Sequence, residues 1–418
     1  MVLTREKNLT ECVFNPSSFF DGSNLLPIVN LGMHSYADTF IPEEKLRESE
    51  PIFPLQVGAD FKNGLFQNLY LTNPGERYNL YDYSYTSSNS NSAKVHWSEL
   101  AQFLNGKGFL KNRNALEIGS NDGYLLGEIK KFGGNPVGVD ASSHMSAIAS
   151  ESGLHTINAI FGGKSGVSKE IYSHYGKFDL VIANNVFNHS NDPIDFMEGV
   201  IELLEQNGYF VFEVPYWKST IKDLTFDQIY HEHVTYFTAK FVDALASKYN
   251  LKVVEISLID YHGGSLRVIL QKSRYEQSEK IESLVVQEEE FGLYSQETYA
   301  DFAKKLNRIK YNLNYNIYSL HKEQANRKLI AVGAAAKANT FLTYMGLNST
   351  NVDFITDSSQ QKIGKYTPLT RIPIKSDAAF SDLVNPIVLI TAWNLTSQLT
   401  PLLKQINPSI DIINHAIF

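Results

Sequence analysis

Apolar and polar positions change rhythm three times along the 418-residue chain. The first eighty residues carry only short apolar clusters, such as "IFPLQV" and "NLYLT", among Pro, Asn and Ser, which predicts a small irregular domain over 1–80. The polar and aromatic run "YDYSYTSSNSNS" follows and reads as a linker or a loop over a site. From Val95 onward, short buried-type strands alternate with amphipathic helices. "HWSELAQFL", "DGYLLGEIKKFG", "SHMSAIASESG" and "PIDFMEGVIELLEQNG" predict helices, the second stopping at Gly133-Gly134. "NALEIGS", "PVGVDAS", "KFDLVIANNVF", "GYFVFEVP" and "HGGSLRVILQ" predict strands. That alternation predicts a doubly wound, mostly parallel sheet over 81–275. Residues 276–328 predict long helices with solvated charged faces. A second α/β pattern runs from "KLIAVGAAAKANTFLTYMG" through "VDFITDSS" to "PIVLITAWN", so 276–418 reads as a helical connection and a C-terminal α/β domain.

Composition narrows the class. Hydrophobic residues are 43% and charged residues 20%, enough apolar material for a real core. A net charge of -8 supplies no positive field for nucleic acid. The polar start and the lack of a long apolar run predict a cytoplasmic protein with no membrane partner. A single cysteine, Cys12, rules out an internal disulfide and a cysteine-rich zinc site.

Three motifs carry candidate chemistry. "LEIGSNDGYLL" puts Glu117, Gly119, Asn121 and Gly123 at a turn from a buried strand into a helix, where helix N–H groups point at a ligand. Asp140 ends the next strand, about where an acid meets ribose hydroxyls. The spacing E-x-G-x-x-x-G differs from the dinucleotide G-x-G-x-x-G and favours S-adenosylmethionine over NAD. "IANNVFNH" sets Asn184, Asn185 and His189 at the carboxyl end of a central strand, the ligand-binding edge of such sheets. In "YHEHVTYF", His231 and His233 flank Glu232 and follow Tyr230. The run reads as a proton-transfer cluster, a weak metal site or a hydrogen-bonded aromatic connection, and spacing alone leaves these open.

Together with "LGMHSYADTF", "YDYSYTSSNSNSAKVHW", "DQIYHEHVTYF", "HGGSLRV", "GAAAKANTFL", "FITDSSQQKIGKYTPLTRIPI" and "ITAWNL", these segments resemble the sugar C-methyltransferases that act on nucleotide-linked 4-keto-deoxysugars. The resemblance covers most of the chain. It implies a Rossmann-like S-adenosylmethionine methyltransferase domain flanked by a small N-terminal domain and a second α/β domain. It also implies S-adenosylmethionine as cofactor and a nucleotide-sugar substrate methylated at C3 through an enolate. His233 would then be the base and Glu232 would orient the site or share the proton. Tyr230 and His189 would meet the developing oxyanion, and Tyr83 or Tyr85 would close over the sugar. His231, Gly263, Gly264, Ser265, Arg267, Lys337, Asn339, Thr340, Trp393 and Asn394 would contact the substrate, with Lys337 beside a diphosphate.

The family's four-cysteine zinc site is missing, because "ECVFNPSSFF" and "LQVGADFKNGLFQN" stand where its cysteine pairs belong. No metal or zinc is therefore expected, and the N-terminal domain must hold by apolar clusters and docking. The assembly expected is a monomer or small homo-oligomer. The competing functions are a non-catalytic nucleotide-sugar-binding protein, a methyltransferase with a different acceptor, and an NAD-dependent oxidoreductase.

Overall fold

In the computed structural model, residues 12–80, 86–88, 90–272, 277–323 and 327–413 are described. The N-terminal region holds β1 (Cys12–Phe14), β2 (Leu26–His34), β3 (Phe53–Asp60), β4 (Leu65–Asn68), β5 (Tyr70–Thr72) and α1 (Pro74–Asn79). β1 and β5 pair as a ribbon, while β2, β3 and β4 form an antiparallel sheet closed by Thr235–Tyr236 from the next domain. The irregular domain expected here is thus an ordered sheet. Register shifts between Pro27 and Val29 and between Asn30 and Gly32 break the apolar alternation that would have announced β2. α1 starts where Asn73 accepts hydrogen bonds from the Gly75 and Glu76 amides, with Pro74 leading the helix.

The central domain runs α2 (Asn91–Gly106), β6 (Asn114–Ile118), α3 (Tyr124–Lys131), β7 (Asn135–Asp140), α4 (Ser143–Glu151), β8 (Thr156–Asn158) and α5 (Val167–Tyr175). It continues with β9 (Phe178–Asn184), α6 (Pro193–Leu203), β10 (Leu204–Pro215), α7 (Trp217–Lys222), β11 (Thr235–Tyr236), α8 (Ala239–Lys248), β12 (Leu251–Ile259), β13 (Ser265–Lys272) and α9 (Glu279–Glu290). Seven strands order as β12-β13-β10-β9-β6-β7-β8, with β13 antiparallel to both neighbours. Strand order reverses between β6 and β9, so a ligand crevice opens at their carboxyl ends. The helix predicted to reach Gly208 stops at Leu203, because Leu204 already pairs beside Phe178. α9 packs on α8 and β12 and buries Ile281 and Leu284 in this domain's core. The boundary expected at 275 therefore lies beyond α9: its apolar face belongs to the central sheet.

α10 (Gln296–Glu323) buries Tyr299, Phe302, Leu306, Ile309, Leu313 and Ile317, a stripe at helical spacing. Beyond it come β14 (Leu329–Val332), α11 (Ala336–Met345), β15 (Phe354–Thr356), β16 (Ile374–Lys375), β17 (Ile387–Ile390), α12 (Thr396–Ile406) and β18 (Asp411–Ile413). The five strands are parallel, ordered β16-β15-β14-β17-β18, with a second reversal between β14 and β17. One apolar core joins the α10 stripe to Val29, Leu55, Val57 and Phe66 of the N-terminal sheet and to Leu329, Phe341 and Leu389 of the C-terminal domain. The small N-terminal sheet thus draws its burial from its neighbours. No helix among the described residues is long and apolar enough to cross a membrane.

Candidate active site

Both strand-order reversals open into one cavity of about 1510 Å³. On the central-domain side, Gly119 turns the chain at φ +74, and a Cβ there would lie 2.8 Å from Val186. Only glycine fits without displacing that side chain. Asp140 accepts from the Asn121 and Ser142 amides, both at 2.8 Å, which fixes its carboxylate at the cavity edge. Burial, the largest influence, raises its pKa. The side-chain amides of Asn184 and Asn185 are shut from solvent and have no partner among the described residues. Orphaned donors and acceptors in a cavity wall are what a polar ligand would satisfy. These residues fit S-adenosylmethionine. The Asn121 side chain instead accepts from the Ser87 amide at 2.8 Å, tying down the loop before α2.

Opposite this turn stands the YHEH segment, which is neither helix nor strand at its start. His233 Nδ1 lies 2.8 Å from the Gln228 carbonyl oxygen. A carbonyl only accepts, so Nδ1 carries the hydrogen and Nε2 keeps its lone pair. The Tyr230 hydroxyl donates to that Nε2 at 2.5 Å. Burial and then His189 hold the His233 pKa well below its usual value, so the ring is neutral. His189 lies beside it, ring centres 5.1 Å apart, with Nδ1 3.0 Å from the Tyr78 hydroxyl. Its Nε2 is buried at the cavity with no partner among the described residues. Glu232 Oε1 accepts from the Ala37 and Asp38 amides at 3.0 and 3.3 Å, while Oε2 is buried and unpartnered among the described residues. Burial lifts its pKa to about 7.

The C-terminal domain supplies the far wall. Lys337 donates to the His262 carbonyl at 3.0 Å and lies over the Trp393 ring, and burial lowers its pKa to about 8. Trp393 donates to Asp227 at 2.5 Å and packs so close to Gly263 that a Cβ there would lie 2.7 Å from the indole. The Gln228 amide also donates to the His262 carbonyl. Trp393 thus bonds next to Gln228, whose carbonyl sets His233, while Lys337 and the Gln228 side chain share the His262 carbonyl. The buried Thr356 hydroxyl also faces the cavity and has no partner among the described residues.

Of the residues expected at the site, His233, Glu232, Tyr230, His189, Gly119, Asn121, Asp140, Asn184, Asn185, Gly263, Lys337 and Trp393 line the cavity. Several others do not. His231 points into the N-terminal sheet, edge-on to Tyr36 and Phe53, because the turn at Tyr230–His233 aims the two imidazoles apart. Glu117 lies within β6, where burial raises its pKa, and Gly123 packs on Leu154 and Ala149. Gly264 and Ser265 form the hairpin, with the Gly264 carbonyl accepting from the Tyr216 amide. Arg267 ion-pairs with Glu213 at 2.6 Å. Asn339 donates to the Ala37 carbonyl at 2.6 Å and Thr340 is buried in α11, so both pack the domain contact. Tyr83 and Tyr85 lie outside the described residues, as does the side chain of Asn394. The sequence reading missed Asp38, Tyr78, Gln228 and Thr356, which line the cavity, and Asp227, which holds Trp393; all but Tyr78 lie in matching motifs, where nothing local shows which side chains turn inward. Among the described residues no group of three or more His, Cys, Asp or Glu could hold a metal.

Two family models match this chain. One, described as a methyltransferase domain, covers residues 93–256, and the other, a C-methyltransferase C-terminal domain, covers residues 260–409. The C-methyltransferase NovU of Streptomyces niveus is 28% identical over 378 residues, 90% of this chain and 88% of that protein. Among solved structures, magnesium protoporphyrin IX methyltransferase (ChlM) from Synechocystis PCC 6803 with bound SAH is 12% identical at a TM-score of 0.35, over 43% of this chain and 83% of its own. The PH0226 protein from Pyrococcus horikoshii OT3 is 17% identical at a TM-score of 0.36, over 47% of this chain and 98% of its own. The two models and NovU span both α/β domains, the halves that meet at the cavity.

Proposed function

We propose, from the premise that this chain belongs to the S-adenosylmethionine-dependent C-methyltransferases, that it methylates C3 of a nucleotide-linked 4-keto-deoxysugar through base-assisted enolate formation. What supports this most is the Tyr230–His233 pair, a neutral imidazole with its lone pair held against a phenol, facing a cavity that the glycine turns at Gly119 and Gly333 share. A C–H beside a ketone needs a base on one side and a hydrogen-bond donor at the carbonyl oxygen on the other.

The Tyr230–His233 pair accepts the C3 proton, the phenol oxygen taking it as its own proton passes to His233 Nε2. The resulting imidazolium forms beside the enolate, and in a water-poor cavity the two charges stabilise each other. His189 Nε2 and Glu232, whose carboxyl pKa burial pushes up to about 7 and so favours its protonated form, donate toward the C4 oxygen. Gly119, Asp140, Asn184 and Asn185 hold S-adenosylmethionine, which when bound supplies the electrophilic methyl that the C3 carbanion takes. The second glycine turn, at Gly333 before α11, and Lys337 face the nucleotide diphosphate. Domain contacts around the cavity keep water from reprotonating the enolate.

The test is to incubate the chain with S-adenosylmethionine and a set of nucleotide 4-keto-deoxysugars and read product masses. Gain of one methyl, lost in His233→Ala, is expected. No gain with S-adenosylmethionine still binding would discard the sugar acceptor.

A further inference from the structure

Two of the imidazoles at the cavity wall, those of His233 and His189, have different neighbours at Nδ1. For His233 the neighbour is the Gln228 carbonyl, which forces Nδ1–H and leaves Nε2 as an acceptor. For His189 it is the Tyr78 hydroxyl at 3.0 Å, which can donate. We propose that Tyr78 is a positioning residue: its hydroxyl donates to His189 Nδ1 and fixes the Nε2–H tautomer, the opposite of His233. One ring then donates to the acceptor's carbonyl oxygen while its neighbour, 5.1 Å away, drives proton removal. The use made of the donor rests on the methyl transfer proposed above; the tautomer itself does not.

Several observations support this. The Nε2 atom of His189 is buried at the cavity and meets no group among the described residues, so a hydrogen there is aimed at whatever the cavity holds. The ring stays neutral, because burial and the Arg77 guanidinium push its pKa to about 3. A neutral imidazole must choose one nitrogen for its hydrogen, and the partner of the other nitrogen decides. Tyr78 itself is held in place. Its neighbour Arg77 donates to the His189 carbonyl at 3.2 Å, to the His231 carbonyl at 3.4 Å and to the Asn191 side chain. α1 therefore grips both the backbone and the ring of His189. This makes the N-terminal domain a contributor to the chemistry, through a residue that never reaches the reacting carbon.

The experiment uses the full chain with 15N-labelled histidine, the His189 signals being assigned by their loss in His189→Gln. The expected spectrum has a protonated Nε2 and a bare Nδ1 at His189, and the reverse at His233. Tyr78→Phe should mix the His189 tautomers and lower kcat, by up to about the 100-fold that a lost oxyanion donor costs. The dissociation constant for S-adenosylmethionine should stay unchanged. In the His189→Gln background, where an amide N–H replaces the ring donor, Tyr78→Phe should cost nothing further. An Nδ1–H at His189 in the wild-type chain would overturn the proposal. So would an equal loss from Tyr78→Phe in both backgrounds. If the wild-type chain methylates no keto sugar, the reaction reading fails while the tautomer readings still decide the role of Tyr78.

Discussion

Glu232 has its two oxygens in different situations. Oε1 is committed to the Ala37 and Asp38 amides, and Oε2 faces the cavity without a protein partner among the described residues. Burial, with the charge of Asp38 adding to it, raises the pKa from 4.5 to about 7. Between those two values the folded chain keeps a proton that the unfolded chain has released, so stability falls as pH rises through that window. Glu232→Gln keeps an acceptor for the two amides and removes the titration. Relative to that variant, the wild-type chain should lose about 3 kcal/mol of unfolding free energy between pH 4.5 and 7, less if water enters the cavity. Urea unfolding of both proteins at pH 5 and 7 measures it. Parallel pH dependences would show that Glu232 ionises as an ordinary surface carboxylate does.

The two glycine turns are the same device at the scale of elements, each a β-strand handed to a helix across a residue with positive φ. At Gly119 an added Cβ would lie 2.8 Å from Val186, and at Gly333 it would lie 2.6 Å from Ala392. Gly119→Ala should weaken S-adenosylmethionine binding at least about tenfold, since strain of roughly 1–3 kcal/mol falls on the turn that faces it. Gly333→Ala should leave that binding intact and raise KM for the proposed nucleotide-sugar substrate. Calorimetry for the first and initial rates for the second separate the two sites, and equal effects on both ligands would refute the division. The Gly119 turn was legible in the sequence because glycine at a strand end has a local cause. The parallel sheets were legible because strand and helix periods differ. What the sequence did not yield were features decided by neighbours far along the chain. β2 hid behind its bulges, α9 showed no sign of which sheet it would cover, and His231 and His233 differ only in how one turn aims them. Arg267 sits in a matching motif yet spends its guanidinium on Glu213. Tyr78 belongs to no motif that could have been read, and Asp227 opens the "DQIYHEHVTYF" run with no local sign that it would hold Trp393.

For the whole molecule, the question is what holds the N-terminal domain, which lacks the cysteine pairs that the resemblance would lead one to expect. The segments that replace the cysteine pairs are joined by hydrogen bonds. Ser18 donates to Asp60 at 3.0 Å, and Asn63 meets Asp60 through its amide at 3.1 Å and its side chain at 2.8 Å. Gln67 accepts from the Phe19 amide at 3.1 Å and donates to the Ser17 carbonyl at 3.2 Å. Asp60 and Gln67 are buried, so these bonds are made where water cannot replace them. The sheet also shares its core with α10 and the C-terminal domain, which a metal-clasped module would not need. Two outcomes follow. Chelators should leave the melting temperature unchanged if this polar network and the shared core, in place of a metal, hold the domain. Asp60→Ala, which strands Ser18 and Asn63, should cost about 3 kcal/mol. Because Glu232, proposed above to act at the carbonyl oxygen, leans on Ala37 and Asp38 of this domain, the same variant should lower kcat more than it weakens S-adenosylmethionine binding. Calorimetric melting with and without a zinc chelator, beside rates for Asp60→Ala, tests both. A chelator-induced drop in melting temperature would mean that a metal, and not this polar network, clasps the domain.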